Sequence, residues 1–192
     1  MIKTGLLFGS FNPVHIGHLI IAQYIQQFTD LEDVWLVVSP RNPLKPAEDL
    51  LDENERLKMA QLAVEGNPLL KVCDVEFALP RPSYTIDTLK KLESNNPDRQ
   101  FVIIAGTDIF SDFIKWKDWQ QLLEDYSFYI YNRPEYDLGE FGRHNTVKIF
   151  EAPLLKISST FIRNALKSGK DVSYMIPEKV WKYLAEMGFY KK

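Results

Sequence analysis

Residues 5–28 read GLLFGSFNPVHIGHLIIAQYIQQF, and the character of the chain changes twice within them. Gly5-Leu6-Leu7-Phe8 is a short apolar run of the kind that forms a buried strand. Leu19 to Phe28 carries apolar residues at Ile21, Ile25 and Phe28, the i, i+4, i+7 spacing of a helix face. Between them lies a loop with two histidines, His15 and His18, three residues apart. Strand, tight loop and helix in that order put the loop at the carboxyl end of a first strand. Open α/β sheets bind ligands at that edge, and the N-terminus of the following helix can hold phosphate.

Outward from this unit the same alternation continues. Short β-branched or aromatic runs over 2–8, 34–38, 72–77, 101–105, 128–131 and 147–150 are separated for the most part by helical patterns. This predicts an α/β fold, a doubly wound, Rossmann-like and mostly parallel sheet with helices on both faces. Helix starts are marked by Asp52 with Glu55 ahead of Leu57, Ala60 and Val64, and by Thr85 ahead of Ile86, Leu89 and Leu92. Two more helices come late. Ser158-Ser159-Thr160 opens one that runs to about Leu166 with Gly169 beyond it, and Pro177 begins another through Val180, Leu184 and Met187 to Gly188. No repeat, low-complexity tract or linker interrupts the pattern. Residues 1–192 are therefore expected to form one domain, with a C-terminal helical part from about 155.

Composition narrows the partners. The chain has 192 residues, 45% of them hydrophobic, and a formal charge of −3, so no global basic field is available to hold duplex nucleic acid. Phosphate must be met locally. Cys73 is the single cysteine, which excludes an intrachain disulfide and suits a reducing compartment. The start is too short and interrupted for a signal peptide, and no stretch approaches the roughly 20 apolar residues of a membrane span. A soluble cytoplasmic protein is expected. Oligomeric state leaves no signal in the sequence.

The chemistry of the loop follows from its residue types. Histidines at i and i+3 share a helix face, and both imidazoles can donate to phosphate oxygens. Gly17 between them allows close approach to the backbone, and Gly9-Ser10 supplies amides. Zinc is the rival ligand for such a pair, but the third histidine, His144, lies in an unrelated loop and no cysteine pair helps. No metal-ligand set is assigned. A second phosphate-binding stretch is Ile157-Ser158-Ser159-Thr160-Phe161-Ile162-Arg163, where hydroxyls and unpaired N–H groups at a helix N-terminus are joined by a planar, permanently charged guanidinium.

With these residues in view, GSFNPVHIGH resembles the signature loop of the HIGH-motif nucleotidyltransferases, and ISSTFIR resembles the ISSTxIR motif of small adenylyltransferases. Class I aminoacyl-tRNA synthetases share the HIGH letters but are longer and carry a lysine-rich KMSKS-type loop that is absent here. PSYTIDTL at 82–89, IAGTD at 104–108, Trp116, NRP at 132–134, IPEKV at 176–180 and GFY at 188–190 are similar in order and spacing to bacterial nicotinate-nucleotide adenylyltransferases.

The resemblance implies that ATP and nicotinate mononucleotide condense to nicotinate adenine dinucleotide and pyrophosphate in NAD biosynthesis. His15, His18 and Arg163 would be catalytic, and Gly9, Ser10, Phe11, Gly17, Ser158 and Ser159 would join them around ATP. On the acceptor side Trp116 would stack on the pyridine ring and Thr85 would meet the carboxylate. Asp108 would hold a hydroxyl, and Asn42, Lys45 and Arg133 would hold phosphate or ribose. The stretch at 39–46 departs from the family's longer, histidine-bearing form of that loop. Magnesium would arrive with ATP. Two alternatives stand beside this one: another small transferase of the HIGH type, such as pantetheine-phosphate adenylyltransferase, and a catalytically idle nucleotide-sensing module. Residues 83–89 with Trp116 speak against the first, and the intact histidine pair with Arg163 against the second. Cys73 and His144 have no assigned role.

Overall fold

A computed structural model describes residues 1–40 and 50–190. The expected contacts of Asn42 and Lys45 lie outside the described residues. Six strands, β1 (Ile2–Gly9), β2 (Asp33–Val38), β3 (Leu70–Cys73), β4 (Arg99–Gly106), β5 (Ser127–Tyr131) and β6 (Val147–Phe150), form one sheet in the order β3-β2-β1-β4-β5-β6. Every pairing is parallel. The order reverses between β1 and β4, the switch point at which such sheets open a crevice for a ligand. Gly9 lies opposite Val38 at the carboxyl ends of β1 and β2, and Gly106 opposite Tyr131 at those of β4 and β5.

Strands covered on both faces read as continuous apolar runs. Val34, Leu36, Val37 and Val38 of β2 and Val102 of β4 are wholly inaccessible. The helices α1 (Ile16–Phe28), α2 (Glu53–Val64), α3 (Thr85–Asn95), α4 (Trp119–Asp125), α5 (Ser159–Lys167) and α6 (Glu178–Met187) divide between the two faces. On one face Ile21, Ile25, Met59, Ile162 and Leu184 from α1, α2, α5 and α6 pack with Leu36 and Ile104. On the other, Ile86, Leu89 and Leu122 from α3 and α4 pack with Leu6, Ile103 and Phe128. The sheet is doubly wound, and α5 and α6 share a core with its first strands.

Several local expectations are corrected. The third strand is Leu70–Cys73 rather than 72–77, and the chain then turns through a 3₁₀ segment, Val75–Ala78, that buries the carboxyl of Glu76. Phe28, placed by periodicity on the buried face of α1, is exposed and stacks on Tyr24 instead. Met187 is likewise half exposed at the end of α6. Asp52 caps α2 by accepting from the Asn54 N–H at 2.9 Å, while Glu55 accepts from the Tyr183 hydroxyl of α6. Ion pairs close the amino edge of the sheet: Asp33 accepts from Thr4, Trp35, Lys71 and Arg99. Burial raises the pKa of that carboxyl, but these donors outweigh it and hold the group below its ordinary range.

Gly5, at the centre of β1, is required by packing. A β-carbon there would lie 2.5 Å from Ile104 Cδ1 and 2.6 Å from Leu31 Cδ1, both core atoms. Gly5→Val should destabilise the fold by about 1–3 kcal/mol through overpacking, read as a lower midpoint in chemical denaturation. An unchanged midpoint would show that the core around β1 yields freely.

Candidate active site

The β1–α1 loop is a strained turn held from several sides. Phe11 takes a left-handed conformation, φ 46°, with its ring buried. That ring stands where a side chain on Gly9 would go, 2.9 Å from the position of a β-carbon, and packs edge-on to His18. A non-glycine residue at such a φ costs of order 1 kcal/mol or more and persists where its surroundings enforce it.

His15 is the N-cap of α1, and His18 stands at its third position. Their rings stack with centroids 3.7 Å apart and planes at 24°. The His15 N–H donates to His18 Nδ1 at 3.1 Å, which puts the proton of a neutral His18 ring on Nε2. Gly17 was expected to admit a ligand to the backbone; what approaches it is the His15 ring, 3.1 Å from where a β-carbon would sit. Burial, assisted by the charge of Arg133, pushes the His15 pKa down to about 4. His15 is therefore neutral at physiological pH, and two stacked imidazoles coexist without like-charge repulsion.

The late motif meets this loop directly. Ser158 caps α5 by accepting from the Phe161 N–H at 3.1 Å. Ser159 Oγ donates to the carbonyl of Pro13 at 2.8 Å, and Arg163 donates to the carbonyl of Asn12 at 2.9 Å. Arg163 lies in the second turn of α5, not the first, but helical side chains lean toward the N-terminus and bring it back. Two buried nitrogens here, His15 Nδ1 and Arg163 Nε, meet no hydrogen-bond partner among the described residues. Buried polar atoms are nearly always partnered, so such a pair at one loop is a place for acceptors supplied from outside.

The acceptor residues lie at the carboxyl ends of β4 and β5. Asp108 and the exposed Arg133 approach to 3.4 Å, and Arg133 also donates to the Tyr131 hydroxyl. Gly106 makes room for them: a β-carbon would come within 2.3 Å of Asp108 Oδ1 and 2.8 Å of Arg133 Nε. Asp108 is thus not the cap of the 3₁₀ turn Thr107–Ser111; Gly106 holds that position. Thr85 is the first residue of α3, whose cap Tyr84 supplies no side-chain hydrogen bond, so side chains leave the first N–H groups of that helix uncapped. Lys117 donates to both oxygens of Asp87 at 2.8 and 3.0 Å and lies over the Tyr84 ring, which docks the segment carrying Trp116 onto the start of α3. Trp116 is half-buried against Phe113.

Known proteins can now be set beside this geometry. A cytidylyltransferase-like family model matches residues 6–165. A Flavobacterium johnsoniae protein named "probable nicotinate-nucleotide adenylyltransferase" is 44% identical over 192 residues, covering 99% of this chain and 100% of its own. A Bacteroides thetaiotaomicron protein of the same name is 44% identical over 185 residues, 96% of this chain and 92% of its own. The chain belongs to the nicotinate-nucleotide adenylyltransferase family. Its fold is also that of a Plasmodium falciparum nicotinic acid mononucleotide adenylyltransferase solved with NaAD, at a TM-score of 0.82 and 20% identity, covering 99% of this chain and 98% of that one.

Two residues that no motif displays lie beside the expected site residues. Arg56 of α2 is 1% exposed and donates to the carbonyls of Ser10, Ser39 and Pro40 at 2.7 Å each and of Leu51 at 2.9 Å. It ties the β1 loop to the chain leaving β2. Glu76 is buried beneath α3, accepting from Ser83 and Thr88 at 2.9 Å each, and burial raises its pKa. An arginine ending the polar run Glu53-Asn54-Glu55-Arg56 and a glutamate inside an apparent strand look like surface positions in sequence. Cys73 is buried, its thiol pushed up to about 11, which makes it unreactive. His144 pairs with Thr146, away from the motifs.

The His15 environment sets a pH dependence. An unfolded histidine titrates near 6.5 and folded His15 near 4, so between these values the unfolded chain binds the extra proton. This part of the stability should be complete above pH 6.5 and be lost as pH falls toward 4. Imidazole C–H resonances of the unliganded protein should show His15 titrating below pH 5; a midpoint above 6 would mean that the ring is solvated and not enclosed by the loop.

Proposed function

We propose that the chain works as a single cytoplasmic domain that joins nicotinate mononucleotide to ATP, forming nicotinate adenine dinucleotide and releasing pyrophosphate. The observation that carries this reading is the junction of the two motifs, where Ser159 and Arg163 hold the carbonyls of Pro13 and Asn12 while His15 Nδ1 and Arg163 Nε meet no hydrogen-bond partner among the described residues. A phosphate oxygen of the mononucleotide attacks the α-phosphorus of ATP in line, and the bond to the bridging oxygen of the leaving pyrophosphate breaks. Such a reaction asks for positioning and charge stabilisation, and for no covalent intermediate.

His18, donating through Nε2–H, and neutral His15 would stabilise the charge that builds on the α-phosphate oxygens. Arg163, Ser158 and Ser159 would hold the outgoing phosphates, with Gly9, Ser10, Phe11 and Gly17 shaping the loop around them. Trp116 offers an indole face to the pyridine ring, while Asp108 and Arg133 serve the ribose and phosphate side together with Asn42 and Lys45. Magnesium commonly arrives on the triphosphate and keeps much of its water, and no protein ligand set is assigned to it. Magnesium so bound would neutralise phosphate charge. Among the described residues no helix is long and apolar enough to cross a membrane.

Two experiments test this reading. His18→Ala should lower kcat by about two to three orders of magnitude, as for loss of an oxyanion donor, with substrate KM changed much less; near-normal turnover in a folded variant would remove His18 from the chemistry. Acid and amide mononucleotides competing in one reaction test the ring subsite. A carboxylate gains about 1.5–3 kcal/mol from N–H groups at a helix start, and a neutral carboxamide about half of that. Asp87, the nearest acid in the first turn, is engaged by Lys117. The acid should win by at least about tenfold in kcat/KM; equal products would show that α3 does not read the ring.

A further inference from the structure

Asn12 lies inside the ATP loop, yet its own side chain is held from the far end of the chain. Its Oδ1 accepts from the Tyr190 hydroxyl and from the Leu51 N–H at 3.3 Å, while its carbonyl accepts from Arg163. Tyr190 follows α6, beyond the Gly188 C-cap, and adopts a left-handed conformation itself, φ 60°. A bulky aromatic residue is rarely found at such a φ and holds it where its surroundings enforce it. Two of the three non-glycine residues with positive φ among the described residues thus adjoin Asn12: Phe11 precedes it in the chain and Tyr190 donates to its side chain. A rigid mount carries the tyrosine: α6 is fastened to α2 by Tyr183 with Glu55 and by Lys179 with Glu65, and Phe189 packs edge-on to Tyr183. The hydroxyl lies in the field of both Arg163 and Arg56, the two guanidiniums that hold loop carbonyls.

We propose that Tyr190 is a positioning residue for the ATP loop, its hydroxyl holding Asn12 so that the backbone from Ser10 to Pro13 keeps the course that receives triphosphate. The tyrosine touches no reacting atom and acts through Asn12. The proposal rests on the assignment of ATP to this loop. Removing the hydroxyl leaves the ring and its packing in place, so the effect falls on nucleotide binding. The pyridine-ring subsite, built on α3 and the segment of Trp116, is on the other face and does not depend on it.

The test uses the full chain and the non-hydrolysable α,β-methylene analogue of ATP. Tyr190→Phe should weaken analogue binding by calorimetry about 3- to 10-fold and raise the KM for ATP in step, with the KM for the mononucleotide changed less than twofold. Asn12→Ala should weaken the analogue as well, and adding Tyr190→Phe to it should cost nothing further, because the hydroxyl has lost the group it holds. Unchanged analogue affinity in Tyr190→Phe overturns the proposal. So does an equal rise in both KM values with a lowered Tm, which a purely structural tyrosine would give, and so do effects that multiply in the double variant. If the wild type does not bind the analogue, or His18→Ala turns over normally, it is the assignment of ATP to this loop that fails, and the two failures are distinguishable.

Discussion

Three carbonyl oxygens within four residues, those of Ser10, Asn12 and Pro13, are taken up by Arg56, Arg163 and Ser159, side chains from the second and fifth helices. Backbone carbonyls are obligatory acceptors, and a tight loop has few partners of its own to offer them. Once distant donors satisfy these oxygens, the loop can hold a strained Phe11 and a histidine cap without collapsing into an ordinary turn. The position of α5 follows from this, since Ser159 and Arg163 reach the loop only if α5 packs beside α1. The path of α2 follows as well, because Arg56 must pass beneath the ends of β1 and β2.

The same arrangement shapes the electrostatics. The protein carries a net charge of −3, yet Arg56, Arg133 and Arg163 converge on the edge where β1, β4 and β5 end. Arg56 donates to four carbonyls, whose dipoles satisfy its hydrogen-bonding groups without cancelling its charge. The His15 ring is kept neutral by burial and by the charge of Arg133, and neutrality lets it stack on His18. An anion can then be met by fixed donors and fixed charge without a prior change of protonation. Buried polar networks of this kind are worth most where water is excluded.

At the start of α3 the acid in the first turn is paired. A helix start that is to meet a carboxylate should not face an unpaired acid. Asp87 is engaged by Lys117, which also sits over Tyr84, and the same lysine docks the Trp116 segment. Glu76 is the other acid nearby, and its pKa is raised by burial while two hydroxyls bridge it to both sides of the turn. One salt bridge thus serves charge balance and placement of the indole together.

Strand–loop–helix order, the parallel sheet and the two motifs at 9–18 and 157–163 are written in local sequence, because apolar runs, helix caps and a histidine pair act over neighbouring residues. The family is legible for the same reason: its motifs are contiguous. What the sequence alone does not display is how the pieces are joined. Arg56 and Glu76 look like surface residues, since their role is to satisfy groups 5 to 46 residues away in the chain. The His15 ring lies where a side chain on Gly17 would go, which no local pattern displays; Phe28 keeps helical period and still points to solvent, beyond the reach of the sheet. Gly5 and Gly106 show no motif, and their need comes from side chains that only the folded sheet brings close. Periodicity and capping record what a residue does for its own element. Burial, carbonyl satisfaction and the pKa of His15 depend on which elements meet, and that was decided by the tertiary structure.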